Sequence, residues 1–295
     1  ARSPLTARVV LSGQSDHDAV FRAVGPAHQY LAKPTDFDEL ARVIELVTTP
    51  PGRPLDDRAL RMVGRADVLQ SPPALVEQVV RAMEMPSSNY REIARLVSED
   101  VALTAEVMKL VNSAFFGHYG RVDTVEAAIA LLGMDMLRAL MLEHDLFGRR
   151  HLGAQWLDLT SLARRSRALA QAARGLALRN DCDHPTAGQA FLSGMVSEIG
   201  LLVMADVPIA DPEICSRLGF AWDPELERSV FGGDRYSVGC HLLNLWGFAE
   251  PIVEAVALRG TRGVGSEGTV GWYTGAAWRL IHEAGVDALE LADPK

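Results

Sequence analysis

The chain has 295 residues, 48% of them hydrophobic, which is the composition of a folded protein with room for one large domain or two ordinary ones. Its formal charge of −9 argues against direct contact with nucleic acid, because an acidic surface repels the phosphate backbone. Cys182, Cys215 and Cys240 lack CxxC spacing, and no long apolar stretch is uninterrupted, which predicts a cytoplasmic protein without a disulfide framework, a zinc site or a membrane span.

Two short apolar runs near the N-terminus predict buried parallel strands. They are ARVVLS at 7–12 and QYLA at 29–32. Helical periodicity follows each run, at 16–24 and at 37–47. The order strand, helix, strand, helix is typical of an α/β unit with a parallel sheet.

A proline-rich segment, residues 49–57, predicts a linker, because proline disfavours regular structure. The linker divides an α/β unit at 1–48 from a larger unit at 58–295. The larger unit has no convincing strand pattern, so we predict a mainly α protein in which this unit is all-helical. Examples of its predicted helices lie at 74–83, 90–97, 102–112, 125–131, 135–142, 160–178, 188–204 and 251–257.

The N-terminal unit resembles the C-terminal half of a response-regulator receiver domain, which has a flavodoxin-like α/β fold. RVVLSG at 8–13 and GPAHQYLAKP at 25–34 are similar to the fourth and fifth strands of that family. The resemblance assigns switch and phosphate-contact positions to Ser12, Tyr30, Lys33 and Pro34. It also implies a cis peptide bond before Pro34, and it places the phosphoacceptor aspartate upstream of this chain.

The same residues also fit a plainer interpretation, in which Lys33-Pro34 ends a strand and Ser12 starts a turn. In either interpretation two parallel strands alone leave apolar faces in water. We therefore expect the strand pair to pack on the helical unit or on another chain.

The larger unit resembles HDOD domains, regulatory relatives of the HD phosphohydrolases. The resemblance is carried by EDVALTAEVMKLVNSAFFG at 99–117 and by VDTVEAAIALLGMDMLRALML at 122–142. Active HD proteins hold metal with histidines from several helices and an adjacent His-Asp pair. Here GMVSEIG at 194–200 stands where that family carries GLLHDIG.

The resemblance therefore implies a degenerate metal pocket. Ser197 and Glu198 take the positions of the His-Asp pair. In the stretch 231–260, Arg235 replaces a histidine and Leu258-Arg259 replace a later pair. The resulting site is formed by Ser197, Glu198, Arg235 and Arg259. Two guanidinium groups repel a divalent cation, so we expect no metal and no cofactor, and we expect a salt bridge between Glu198 and Arg235.

The resulting hypothesis is a bacterial two-component response regulator with a non-catalytic HDOD output domain. Its expected partners are a sensor histidine kinase, through an intact receiver, and a downstream signalling protein, through the HDOD domain; homodimerisation stays open. One alternative is a metal-dependent phosphodiesterase acting on cyclic dinucleotides. Another is a nucleotide-sensing module without turnover, and the cluster Arg164, Arg165 and Arg167 fits either an anion site or a solvated helix face.

Overall fold

The fold is mainly helical, with one small sheet at the N-terminal end. In this computed structural model the described residues are 6–12, 27–49, 52–66, 69–85, 89–112, 122–148, 156–218, 222–261, 263 and 265–283. Strands β1 (Val9–Ser12) and β2 (Gln29–Ala32) pair in parallel, with Val9 opposite Gln29. The predicted helix at 16–24 lies outside the described residues.

The helices in chain order are α1 (Phe37–Thr48), α2 (Asp57–Val63), α3 (Pro73–Glu84), α4 (Tyr90–Val97), α5 (Val101–Val111), α6 (Val125–Gly148), α7 (Leu159–Arg179), α8 (His184–Val196), α9 (Ile199–Met204), α10 (Pro212–Leu218), α11 (Pro224–Phe231), α12 (Arg235–Leu245), α13 (Glu250–Gly260) and α14 (Val270–His282). After Ala32 the described part of the chain contains no further strand, as the sequence predicts.

Many of these helices begin at a short polar residue that accepts hydrogen bonds from the first free N–H groups. Asp158 caps α7, Asp183 caps α8 and Asp234 caps α12 in this way. Such caps fix where each helix starts, and therefore which side chains its first turn presents. The cap at Asp234 sets the position of Arg235, the first residue of α12.

Helices α7, α8 and α14 pack together through small side chains. Their shared cluster contains Ala172, Ala173, Ala177, Ala187, Ala190 and Ala277, all buried. Gly194 brings α8 especially close to α7, because a Cβ at that position would lie 2.5 Å from Cα of Ala170. The close approach places the C-terminal end of α8 beside the first half of α7.

The strand pair packs on the helical body, as we expect for a two-stranded sheet with apolar faces. Nη1 of Arg8 donates a hydrogen bond to the carbonyl oxygen of Gly64 at 3.0 Å. The side chain of Gln29 reaches the turn after α12, where a Cβ on Gly247 would lie 2.8 Å from Nε2 of Gln29. Ala27 joins the main hydrophobic core of the helical body.

One detail of the helical unit differs from the predicted helices, and a second agrees with them. The predicted helix at 188–204 is divided into α8 and α9, because Glu198 leaves the helical conformation after Ser197. The hydroxyl of Ser197 donates to the carbonyl oxygen of Ser193 at 2.7 Å, a bond that favours bending of a helix. Gly133 has a φ of +74° inside α6 and separates two helical segments, where the sequence predicts a break.

The segment His184–Met204 is long and apolar enough to cross a membrane by length and composition alone. It comprises α8 and α9, and 83% of its most apolar part is buried within the fold. Its apolar character therefore matches the central position that these two helices occupy.

Protonation of buried histidines should destabilise the fold in mild acid. Burial, with the charges of Arg8 and Lys109, lowers the pKa of His28 from 6.5 to about 4, and burial lowers the pKa of His241 to about 4. Between these values the unfolded chain takes up protons that the folded chain does not, so stability falls as pH falls. For His28 the slope is about 1.4 kcal/mol per pH unit.

The variant His28→Asn tests this, because its amide oxygen can replace Nδ1 as the acceptor for the backbone N–H of Arg8. We expect urea unfolding at a series of pH values from 6.5 to 4 to show a shallower loss of stability in the variant. The control variant His184→Asn changes an exposed position. Its free energy of unfolding should fall with pH as steeply as that of the wild type. Equal slopes in His28→Asn and the wild type would contradict the assignment.

Candidate functional site

The four residues that the sequence assigns to the degenerate pocket lie around one cavity. Ser197, Glu198, Arg235 and Arg259 all line it, and its volume is about 240 Å³. Its walls come from the ends of α8 and α13, the start of α12, the first half of α7 and the last turns of α14. The other lining residues are Arg165, Ser166, Leu169, Gly194, Trp222, Tyr236, Trp278 and His282.

Local backbone geometry brings these side chains together. The break after Ser197 turns Glu198 out of the α8 helix, and α9 then runs directly against the start of α12. Gly200 makes this possible, because a Cβ there would lie 2.0 Å from the carbonyl oxygen of Arg235. Glu198 and Arg235 therefore face each other across the junction of two tightly packed helices.

Arg235 is the most heavily hydrogen-bonded group in the site, and only 1% of it is exposed. Its Nε donates to Oε1 of Glu227 at 2.6 Å, and its backbone N–H donates to Oε2 of the same carboxylate at 2.7 Å. Nη2 donates to the carbonyl oxygen of Leu218 at 3.0 Å. The guanidinium is thus held in one orientation by α11 and by the end of α10.

Glu198 completes the network, and its predicted salt bridge with Arg235 is confirmed. Nη1 of Arg235 lies 2.8 Å from Oε1 of Glu198, while Nε of Arg165 donates to Oε2. Burial favours the neutral acid, but the charges of Arg165 and Arg235 outweigh burial and lower the pKa of Glu198. The carboxylate is therefore ionised between two arginines, where it neutralises positive charge.

Arg259 is placed differently, between aromatic rings. Its guanidinium carbon lies 4.0 Å from the ring centre of Trp278 and 5.4 Å from that of Tyr236, so it makes cation–π contacts with both. Its Nε has no hydrogen-bond partner among the described residues, although only 4% of the residue is exposed. Burial, together with the charge of Glu198, raises the pKa of Tyr236, which keeps the phenol neutral.

The sequence does not assign two members of the charge network, Glu227 and Arg165, to this pocket. Glu227 lies on α11 and is fully buried, with no motif to single it out. Arg165 belongs to the basic cluster on α7, and although one interpretation of that cluster is a solvated face, this side chain turns to Glu198. The useful signal is that a buried arginine needs carboxylates nearby.

The receiver-like residues lie apart from this cavity, on the strand pair. Lys33 and Pro34 are exposed, and the peptide bond between them is cis, as the resemblance implies. Ser12 ends β1 and Tyr30 lies within β2, opposite Val10 in the parallel register. Among the described residues, no three His, Cys, Asp or Glu side chains group together as a metal site.

Comparison with known proteins agrees with this architecture. The profile of the HDOD domain matches residues 69–260. An uncharacterized protein of Treponema pallidum (strain Nichols) is 24% identical over 207 residues, which cover 67% of this chain and 39% of that protein. The chain therefore spans well under half the length of this relative.

Two solved structures share the fold at low sequence identity. The MmoQ response regulator of Methylococcus capsulatus str. Bath is 20% identical and has a TM-score of 0.61, covering 77% of this chain and 94% of that one. A virulence factor of Campylobacter jejuni subsp. jejuni is 20% identical and has a TM-score of 0.58. The match covers 75% of this chain and 79% of that one. Together, the helical architecture and the profile match define a domain of the HDOD class.

The chain belongs to the HDOD domain family. Its cavity corresponds to the pocket that the sequence resemblance to HD phosphohydrolases identifies as degenerate. The receiver-like strand pair lies before the matched region, since the match begins at residue 69.

Removing Arg235 should destabilise the protein strongly, because the change leaves Glu227 buried without its cation. We expect Arg235→Met to lower the free energy of unfolding by about 3–5 kcal/mol. The matched control is Arg217→Met, which breaks an ion pair with Asp223 whose arginine is 55% exposed. That change should cost less than about 1 kcal/mol.

Chemical denaturation of both variants and of Glu227→Gln measures these effects. The double variant Arg235→Met with Glu227→Gln should lose less stability than the sum of the two single changes, because each single change isolates a buried polar group. If Arg235→Met costs no more than Arg217→Met, the network does not stabilise the fold as described.

Proposed function

We propose that this chain is a non-catalytic HDOD signalling domain that acts as a protein-interaction scaffold, preceded by the C-terminal half of a receiver domain. The observation that carries the proposal is the position of Arg235. Its guanidinium lies in the pocket that corresponds to a metal site and bonds to Glu198 and Glu227 there. A fixed cation that belongs to the protein itself thus lines the pocket.

Hydrolysis of a phosphoester by an HD-type centre requires a divalent cation that activates water. The carboxylate that remains in the pocket, Glu198, is already bonded to Arg165 and Arg235. A divalent ion would have to displace both guanidinium groups and then tolerate their charge at short range. Serine at position 197 adds only a hydroxyl, which already donates to Ser193. This charge arrangement supports a scaffold over a phosphodiesterase.

The proposed signalling role also uses the contact between the strand pair and the helical body. β2 touches the turn after α12 through Gln29 and Gly247, and Arg8 bonds to Gly64 after α2. A change in the receiver half can reach the helical body through these contacts, as in a two-state switch. On this proposal a sensor histidine kinase acts on the intact receiver, and a downstream signalling protein binds the HDOD domain.

The absence of hydrolysis is tested with purified protein and added Mn²⁺, Mg²⁺ or Zn²⁺. We expect metal analysis after gel filtration to find no stoichiometric divalent ion, and we expect no turnover of bis-p-nitrophenyl phosphate or of cyclic dinucleotides. A metal-dependent rate that disappears in the variant Glu198→Gln would overturn the proposal. A rate that survives that change comes from a contaminant.

The switch is tested on a form of the protein that includes the upstream receiver strands. We expect the phosphoryl mimic beryllofluoride to change amide hydrogen exchange in β2 and in the segments around Gly64 and Gly247. The variant Lys33→Ala should abolish the response, because the lysine ammonium stabilises the phosphoryl charge in the receiver interpretation. Unchanged exchange in these segments, with a phosphorylated receiver, would contradict the proposed coupling.

A further inference from the structure

The cavity that contains Arg235 holds more positive than negative charge. Its guanidinium groups belong to Arg165, Arg235 and Arg259, and the carboxylates bonded to them are Glu198 and Glu227. Arg259 has no carboxylate partner within the described part of the chain. Burial raises the pKa of Glu227, which can only reduce the negative charge. Among the residues that the structure describes, at least one positive charge therefore stays uncompensated.

Buried hydrogen-bond donors in the same cavity also lack acceptors. Nε of Arg259 and Oγ of Ser166 have no partner in the described ranges of the chain, although only 4% and 2% of these residues are exposed. Nη2 of Arg165 is buried and lacks one as well. Leaving buried donors unsatisfied is costly, and folded proteins seldom do so. Several donors around one positively charged space indicate a missing acceptor with negative charge.

We propose that this cavity is a binding site for a phosphate-sized oxyanion, either inorganic phosphate or the phosphate group of a small monoester. Arg259 and Arg165 supply charged contacts, and the hydroxyl of Ser166 supplies a neutral one. The rings of Trp278 and Tyr236 hold the Arg259 guanidinium in place, so little side-chain entropy is lost on binding. The site stands independently of the scaffold proposal.

The size of the cavity limits the ligand. A volume of about 240 Å³ accommodates a phosphate with a few water molecules or a short ester. It is smaller than the range of roughly 300–1,000 Å³ that is usual for drug-sized ligands. A cyclic dinucleotide is therefore too large for this space. A tetrahedral anion suits the site better than a carboxylate, because its oxygens point in more directions toward donors on separate helices.

The ligand has a route into the cavity. The side chain of Arg165 is 30% exposed, and His282 at the end of α14 is exposed, while Arg259 and Ser166 lie deeper. Among the described residues, the opening thus lies between the first half of α7 and the last turn of α14. Arg165 is placed to meet an entering anion first and Arg259 to bind it at the inner end.

Titration calorimetry with inorganic phosphate, at constant ionic strength in chloride, tests the site. We expect one saturable site per chain in the absence of divalent metal, and a melting temperature that rises with phosphate concentration. Arg259→Gln should weaken binding at least about tenfold, because a charge-assisted contact is lost. Ser166→Ala should weaken it several-fold, and the distant control Arg217→Gln should leave it unchanged.

Comparison of ligands distinguishes the two sources of phosphate. Tighter binding of glycerol phosphate than of inorganic phosphate assigns the site to a monoester, and the reverse order assigns it to the free ion. No saturable binding of either up to about 10 mM overturns the proposal. The proposal is also overturned if the Arg259→Gln variant and the wild type bind phosphate with equal affinity. If Arg259→Gln does not fold, the proposal is overturned instead by unchanged affinity in Ser166→Ala, which only removes an unpartnered hydroxyl.

Discussion

The guanidinium of Arg235 connects more of this structure than any other polar group in the cavity. It bonds to Glu227 on α11, to the carbonyl oxygen at the end of α10 and to Glu198 at the α8–α9 junction. Through Glu198 it is linked to Arg165 on α7. Each of these charges is unfavourable to remove from water alone, and each becomes tolerable only with the others in position. The network therefore couples the orientation of several helices to one another.

A bound metal ion and a buried arginine network solve the same structural problem with different chemistry. Both place positive charge where several helices converge, and both hold carboxylates in fixed orientations. A metal ion keeps open coordination positions at which water can be activated, whereas the donors of Arg235 are directed to protein oxygens. The arginine network can therefore hold these helices in place without supplying a coordination position for water.

Much of the fold follows from sequence periodicity and from the resemblance to HDOD domains. The helices at 90–97 and 160–178, the break at Gly133 and the pair Glu198–Arg235 were all accessible in this way. The division of 188–204 was not, since it depends on a single serine that bonds to the preceding turn. Helix α14 was missed because glycine and tryptophan obscure its amphipathic pattern.

The partners of the central arginine were harder to predict for a related reason. Glu227 is eight residues from Arg235 in sequence, on a separate helix, and local patterns carry no information on such a contact. The position of Arg165 depends on the rotation of α7, which is set by its packing on α8. Sequence patterns thus identified which charges need partners, while tertiary packing determined which residues became those partners.

The close contact between α9 and α12 at Gly200 has an evolutionary consequence. A descendant that acquired histidine at position 235 would keep the tight helix junction but would leave Glu227 buried without its arginine partner. A further change at Glu227 alone would leave the ion pair between Arg165 and Glu198 in place. Replacement of Arg235 is therefore tolerated only together with changes at its carboxylate partners, and each of these changes is unfavourable by itself.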